Sequence, residues 1–192
     1  MMNMSNSQND SPTRAIRKDF FAFRNGIIAD KLRNAGDPHS MIMGCLLADV
    51  MDISNRLRMS INDDSQLAAV AQELWQDTNS RECRLAAPML FPPALMNHEL
   101  ALQWCQNIES VEIADNLCHK LLRYTSNAQE VCHDLITQDR QLTKYTGYRL
   151  LLNLLLMGKI QPSSAIRNAL QADANKPLFA SLIKDILEEI EN

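Results

Sequence analysis

Glycine and proline are scarce in this chain of 192 residues, which holds five of the first and seven of the second. Stretches in which strand-forming residues alternate with polar ones are rare, whereas leucine, alanine, methionine and glutamine are abundant. Glycine and proline favour turns, alternating strand formers favour strands, and leucine, alanine, methionine and glutamine favour helices. The composition therefore predicts an all-α fold and makes a sheet-based fold a poor candidate.

A long apolar run is also lacking. The longest strongly apolar stretch, Leu150 to Met157, contains Asn153 and stops at Gly158, which is too short for a membrane span. The N-terminus has neither the basic start nor the apolar centre of a signal peptide. We expect no membrane partner, a cytoplasmic location, a disordered tail over residues 1–12 and one helical domain over residues 13–192.

Paired cysteines are absent, because the five cysteines are odd in number and none forms a CxxC motif. This excludes a disulfide framework and a thiolate zinc site. The dipeptide Cys118-His119 recurs as Cys132-His133. Adjacent residues on a helix point about 100° apart, so one dipeptide cannot easily present both side chains to a single metal. We therefore expect buried thiols beside surface imidazoles. We expect no metal and no cofactor, and no phosphate-binding glycine loop, nucleophile elbow or HExxH motif is present.

Positive charge is limited, since the net charge is −4. It is also uneven: residues 1–60 carry +2 and residues 61–192 carry −6. A basic surface must therefore be local. The basic side chains of the first helix form either a DNA-facing surface or the solvated side of an amphipathic helix, and we favour the solvated side. They are Arg14, Arg17, Lys18, Arg24, Lys31 and Arg33.

Apolar residues recur every three or four positions along most of the chain. This spacing predicts helices over Thr13–Asn34, His39–Arg58, the Leu67–Trp75 stripe, Arg81–Leu90 and Gln141–Leu156, with final helices over Pro162–Ala172 and Pro177–Ile190. Ser11-Pro12 is typical of a cap at the first helix, and Gly44 is expected to be tolerated inside the second.

A repeat is visible from Trp75 onward. A helix ends in Trp75, Trp104 or Leu135, a short polar break follows, and another helix begins; the three anchors are 29 and 31 residues apart. Two helices at such a period indicate an α-α superhelix of stacked helix pairs. Equivalent positions in successive repeats favour packing roles for Trp75 and Trp104.

Several segments together resemble the AlkD-like DNA alkylation repair family. They are Leu74-Trp75, the run from Ser80 to Leu90, Gln103-Trp104 and the run from Val111 to Cys118, with Thr146 to Arg149 where the next family helix begins. The likeness covers about residues 14–160 and implies a HEAT-like superhelix whose concave face accepts duplex DNA. Active members excise cationic N3- or N7-alkylated purines.

The resemblance also implies roles for single residues. Asp115 matches the catalytic aspartate, which stabilises the oxocarbenium-like sugar and orients water. Val111 stands where the family has a tryptophan, only Arg149 can substitute for the family arginine, and no tryptophan follows Gly158. Asp115 either faces a ligand or pairs with His119 one turn away. Apart from the likeness, Arg81 and Arg84 are three residues apart on one helix face near a helix N-terminus, where the helix dipole does not favour them, and this makes them candidates for phosphate contact. Candidate DNA-binding residues are Arg81, Arg84, Lys144 and Arg149.

Two functional hypotheses follow. The first is an AlkD-like protein that binds duplex DNA, with excision of alkylpurines as one outcome and an incomplete catalytic set. The second is a non-catalytic HEAT-like scaffold that binds a protein or peptide in its concave groove. The first predicts a positively lined groove with Asp115 at its floor, and the second an apolar or acidic groove. Whether the chain is an enzyme, and its oligomeric state, stay open.

Overall fold

The computed structural model describes residues 11–191, and the predicted tail lies almost entirely outside this range. Eleven α-helices and two 3₁₀ turns account for the regular structure of the described residues, which contain no β-strand beyond a single bridge between Met41 and Ser80. The prediction of an all-α fold is confirmed. The helices are α1 (Pro12–Ala22), α2 (Gly26–Asn34), α3 (Leu47–Ser60), α4 (Asp64–Gln76), α5 (Arg81–Leu90), α6 (His98–Gln106), α7 (Val111–Lys120), α8 (Ala128–Ile136), α9 (Gln141–Leu156), α10 (Ser164–Asp173) and α11 (Ala180–Glu191).

Two compact units divide the chain after Leu90. Unit 1 contains α1 to α5 and unit 2 contains α6 to α11. In unit 1, α5 packs against α3 and α4, and α1 packs against the same two helices. Every residue of α5 is buried, so this helix is the core of the unit. The organisation of residues 13–192 as a single domain stays a prediction.

The first predicted helix is wrong in its length, because two helices occupy Thr13–Asn34. Ser11 caps α1 by accepting a hydrogen bond from the Arg14 amide, as expected, but α1 ends at Ala22. Asn25 then takes an extended conformation and its side chain caps α2 at the Ile28 amide. Its own amide donates to the Met43 carbonyl oxygen at 2.8 Å. Asparagine followed by glycine is a good start of a helix and a poor interior.

The second predicted helix is also wrong at its start. Residues 39–46 are irregular, and α3 begins at Leu47. The buried Glu82 carboxylate accepts hydrogen bonds from the amides of Met43, Gly44 and Cys45 at 3.0, 2.9 and 3.3 Å. A helix in this segment would have pointed these amides at its own carbonyl groups. A charged acceptor that reaches three donors at once stabilises the irregular path instead.

Gly44 is required where it stands, rather than merely tolerated. Its φ is +78°, a conformation that residues with a side chain rarely adopt. A Cβ atom there would lie 2.2 Å from the carbonyl oxygen of Asn25 and 2.7 Å from the amide nitrogen of Ala29. The glycine thus allows the segment before α3 to lie directly on the first turn of α2.

In unit 2, α9 is the central helix and packs against α7, α8 and α11. Its bounds agree with the predicted Gln141–Leu156. At Gly147 the helices are so close that a Cβ atom would lie 2.8 Å from the amide nitrogen of Ile136 in α8. The thiols of Cys118 and Cys132 donate to the carbonyl oxygens of Thr146 and Gly147 at 3.3 and 3.5 Å. One turn of α9 therefore fixes both α7 and α8.

Both tryptophans pack in the interior, as their repeat positions predicted. Trp75 is buried under the guanidinium of Arg84, which lies 3.6 Å from the ring centroid. Trp104 is buried edge-on against Phe91, with the ring centroids 5.3 Å apart. Over residues 11–191, no helix combines the length and the hydropathy that crossing a membrane requires.

Candidate functional site

Asp115 in α7 forms an ion pair with Arg149 in α9. Its Oδ1 lies 2.7 Å from Nε of the arginine, and its Oδ2 lies 3.3 Å from Nη2. Two parallel N–H donors meet two carboxylate oxygens, which is the geometry that makes arginine–carboxylate pairs directional. The side chains are 38% and 28% exposed, so the pair stands at the surface of unit 2 and is accessible to a ligand.

Tyr145 completes this cluster. Its hydroxyl donates to Oδ1 of Asp115 at 3.0 Å and accepts from Nη2 of Arg149 at 3.4 Å. Burial raises the pKa of the Tyr145 hydroxyl, so it stays protonated at neutral pH and keeps its donor. Tyr145 and Arg149 are four residues apart on α9 and therefore share one face of the helix. We call Asp115, Tyr145 and Arg149 the Asp115 cluster.

The backbone around the Asp115 cluster is held by local signals that the sequence carries. Ser110 caps α7 by accepting a hydrogen bond from the Ile113 amide at 3.3 Å. The hydrogen bond from the buried Cys118 thiol to the Thr146 carbonyl oxygen fixes the position of α7 along α9. Because Asp115 precedes Cys118 and Arg149 follows Thr146 by about one turn each, the two charged side chains meet at the edge of this contact.

His119 lies one helical turn after Asp115 on α7 and has cations near it. The pKa of His119 is lowered by partial desolvation of its imidazole and then by the charges of Arg123, Lys120 and Arg149. Three cations close enough to act on one imidazole create a local positive potential, although the chain as a whole is acidic. A neutral His119 can also take up a proton when an anion binds nearby. We call Asp115, His119, Tyr145 and Arg149, together with Arg123 in the 3₁₀ turn that follows α7, the α7–α9 face.

Val111 borders this face. It lies one helical turn before Asp115 and is exposed, so it projects near the carboxylate without being part of the core. The family likeness expects a tryptophan here. The position of the expected aromatic wall is therefore held by a smaller, partly exposed valine.

Arg81 and Arg84 are not at the surface. Arg81 donates to the Cys45 carbonyl oxygen and to Glu82, both at 3.2 Å, and lies 3.9 Å from Asp37. Arg84 is 0% exposed and donates to the Trp75 carbonyl oxygen. Their position at the start of α5 suggested phosphate contacts, but α5 is the core of unit 1. A phosphate cannot reach Arg84 in this conformation, and the proposed DNA-binding surface contains neither arginine.

Lys144 is the remaining predicted DNA-binding residue. Its ammonium group lies 3.3 Å from Oδ2 of Asp173, which also accepts from the Tyr148 hydroxyl at 2.8 Å. Lys144 therefore belongs to a network between α9 and α10, apart from the Asp115 cluster. Of the predicted site residues, the structure brings together Asp115 and Arg149.

His119 does not pair with Asp115, although the i, i+4 spacing suggested it. Arg149 and Tyr145 take the carboxylate instead, because α9 places a permanently charged fork and a hydroxyl beside it. Sequence reasoning missed Tyr145, His119 and Arg123 as members of the face. For two of them the signal was helical spacing, since His119 follows Asp115 by four residues and Tyr145 precedes Arg149 by four. Arg123 carried no such signal, because α7 ends at Lys120.

Metal and thiol chemistry have little basis at this face. Among the described residues, no three side chains of histidine, cysteine, aspartate or glutamate are grouped to hold a metal ion. Cys118 and Cys132 are buried while His119 and His133 are exposed, as predicted. Burial raises the pKa of both thiols, that of Cys132 to about 12, so both stay protonated and unreactive.

Comparison with known proteins identifies the family and the fold. The model of the family described as DNA alkylation repair enzyme matches residues 16–176. A solved structure from a family of proteins related to the HEAT-like repeat DNA glycosylases, with affinity for branched DNA structures, is 15% identical. It matches with a TM-score of 0.73 over 93% of this chain and 75% of that chain. The predicted HEAT-like fold is thereby confirmed. No protein of curated function matches the chain.

Proposed function

Because this chain belongs to the DNA alkylation repair enzyme family, we propose that it binds DNA through the α7–α9 face of unit 2. The observation that carries the proposal is the partly exposed Asp115–Arg149 pair, with the charges of Arg123 and Lys120 near His119 one turn further along the chain, in an otherwise acidic protein. Affinity of a structural relative for branched DNA supports DNA as the ligand. Arg123, Arg149 and a protonated His119 would contact phosphate groups.

We further propose that the face accepts cationic alkylated purines and that Asp115 acts in their release. The glycosidic bond breaks toward the base, which leaves neutral, and the sugar becomes an oxocarbenium-like cation. The Asp115 carboxylate would stabilise this cation and orient the water that attacks it. Since Arg149 and Tyr145 share its negative charge and Val111 offers no aromatic wall, we expect release to be slow.

The proposed location is the cytoplasm. All five cysteines are free and buried, which suits a reducing compartment. DNA would then be reached without passage across a membrane. Fractionation of cells that express the tagged full chain tests this location.

The deciding experiment measures binding of the full chain to a fluorescent duplex at several salt concentrations. We expect the affinity to fall steeply with salt, and the Arg149→Gln variant to bind more weakly with a slope smaller by about one ion. Arg167→Gln is the matched control, because Arg167 is an exposed arginine on α10 of the same unit.

A second assay tests the chemical step. It compares the wild type with the Asp115→Asn variant in the release of 7-methylguanine and 3-methyladenine from methylated duplex. Release that disappears in the variant supports excision. Salt-dependent binding with no release supports DNA binding alone. Absence of both would refute the proposal and favour a scaffold that binds a protein or peptide.

A further inference from the structure

A second exposed surface lies in unit 1, where α1 ends and α2 begins. All seven residues from 21 to 27 are exposed, and three of them carry large apolar side chains. Phe21 and Phe23 are 54% and 45% exposed, and Ile27 is more exposed still. Single exposed apolar residues are ordinary, but two phenylalanines in one connection form a patch that calls for an explanation.

Both phenylalanine rings stand beside arginines. The guanidinium of Arg24 lies 4.2 Å from the ring centroid of Phe21 and donates to the Phe21 carbonyl oxygen at 3.0 Å. The guanidinium of Arg56 in α3 lies 5.9 Å from the ring centroid of Phe23. We call Phe21, Phe23, Arg24 and Arg56 the aromatic surface. Flat rings and flat cations side by side are the components that stack on nucleobases.

The connection that presents the rings is held in place. Asn25 donates to the Met43 carbonyl oxygen, and the thiol of Cys45 donates to the Phe20 carbonyl oxygen at 3.2 Å. Gly44 permits the close approach of this segment to Asn25 and Ala29. The phenylalanines are therefore exposed on a fixed backbone, and ordering them on a ligand costs little entropy.

Charge indicates what covers the aromatic surface. The segment Pro12–Asn34 contains six lysines or arginines and two aspartates, a net charge of +4 in a chain whose total is −4. An acidic polymer with flat apolar groups would match both the positive charge of this segment and its exposed phenylalanine rings. DNA has phosphates along its backbone, but a duplex hides the faces of its bases except at ends, gaps and flaps.

We infer that the aromatic surface binds unpaired nucleotides of a DNA substrate, with Phe21 and Phe23 stacking on bases and Arg24 and Arg56 holding the neighbouring phosphates. The inference rests on the proposed function for DNA as the ligand and adds the form of DNA that is preferred. It predicts that the protein favours DNA with single-stranded arms over blunt duplex. This preference belongs to unit 1 and is separate from the α7–α9 face.

The test compares the affinities of the full chain for a blunt duplex and for the same duplex with one single-stranded arm. The Phe21→Ala/Phe23→Ala variant should lose about tenfold in affinity for the armed duplex and little for the blunt one. Phe21→Tyr/Phe23→Tyr keeps the rings and should keep the preference. Met59→Ala is the matched control, because Met59 is a highly exposed apolar residue of the same unit.

A 2-aminopurine in the arm reports stacking directly, since its fluorescence is quenched on an aromatic ring. Quenching by the wild type and the tyrosine variant, but not by the alanine variant, supports the inference. Equal affinity of wild type and alanine variant for the armed duplex overturns it, as does a wild type without preference. In both cases salt-dependent binding to blunt duplex that needs Arg149 leaves the proposed function standing. Absence of binding to any DNA overturns both.

Discussion

The carboxylate of Asp115 binds the guanidinium of Arg149 through Nε at 2.7 Å and Nη2 at 3.3 Å, although 34 residues separate them in the chain. In this pair each side chain weakens the attraction of the other for a different part of a DNA ligand. Asp115 lowers the attraction of Arg149 for phosphate, while Arg149 lowers the attraction of Asp115 for a cationic sugar. Binding and chemistry should therefore respond in opposite directions to a change at Asp115.

Asp115→Asn should strengthen binding to undamaged duplex and abolish release of alkylated bases. The variant removes one negative charge from the α7–α9 face and leaves Arg149 available to phosphate, so the salt slope should rise by about one ion. Fluorescence anisotropy at several salt concentrations and a base-release assay measure the two effects. Asp185→Asn in α11 is the control for a change of net charge, because Asp185 is exposed. Weaker binding of Asp115→Asn would contradict this account.

Val111→Trp should accelerate base release by about fivefold. Val111 is exposed one turn before Asp115, and an indole there would offer a π face to a cationic nucleotide, worth about 1 kcal/mol. Val111→Leu adds apolar bulk without a π face and serves as the control. Single-turnover rates on methylated duplex give the comparison, and equal rates for the two variants would rule out the aromatic wall as the missing component.

Affinity for DNA should rise as the pH falls from about 8 to about 5, and His119 should carry part of this rise. Partial desolvation of its imidazole and the charges of Arg123, Lys120 and Arg149 lower the pKa of His119. The imidazole is therefore neutral at the upper pH, and a bound phosphate favours its protonation, so binding takes up a proton. Folding stability of the free protein has the opposite pH dependence. Because the pKa of His119 is lower in the folded state than in the unfolded chain, protonation at low pH favours the unfolded chain and stability falls as the pH drops.

Affinities of wild type and His119→Gln at both pH values test this prediction. The rise in affinity should be smaller in the variant, and the difference belongs to His119 because the other three histidines are unchanged. An identical rise in the two proteins would remove His119 from the α7–α9 face.

Gly147→Ala should destabilise the protein by about 2 kcal/mol. The new Cβ atom would lie 2.8 Å from the Ile136 amide nitrogen and 2.9 Å from the Leu135 Cβ, so α8 and α9 would have to move apart. Gly26→Ala in α2 is the matched control, since nothing lies within 4 Å of its added Cβ and alanine is the better helix former. Urea unfolding measures both, and equal stabilities would show that α8 and α9 tolerate separation.

Glu82→Gln should cost about 3 kcal/mol. The carboxylate is fully buried and accepts from three amides and from Arg81. An amide of the same shape brings a donor against these donors and removes a buried carboxylate that compensates the charge of Arg81. Glu188→Gln on α11 is the control, because that carboxylate is exposed and pairs with a lysine of its own helix. A small effect would mean that the segment before α3 keeps its path without the charge.

Local sequence was sufficient for much of the fold. The helices α4, α5, α9, α10 and α11 lie within a few residues of their predicted bounds, because their apolar spacing and their caps act between residues close in the chain. The repeat of Trp75, Trp104 and Leu135 correctly predicted interior positions for the two tryptophans. Burial of the cysteines beside exposed histidines followed from helical geometry alone.

Long-range contacts decided the parts that sequence reasoning missed. Apolar spacing predicted helix through residues 39–46, yet Glu82, nearly forty positions away, takes the amides that a helix would have used. Arg81 and Arg84 had the spacing of a phosphate site, but packing encloses α5 on every side.

The sequence by itself determined that this protein is helical, which faces of its helices are apolar, and that Asp115 stands at the edge of one such face. Only the tertiary structure decided that Arg149 and Tyr145, rather than His119, bind the Asp115 carboxylate. The physical reason is range. Helix formation depends on neighbours within one or two turns, whereas the partner of a charged side chain is whichever group the packing of another helix brings within hydrogen-bonding distance.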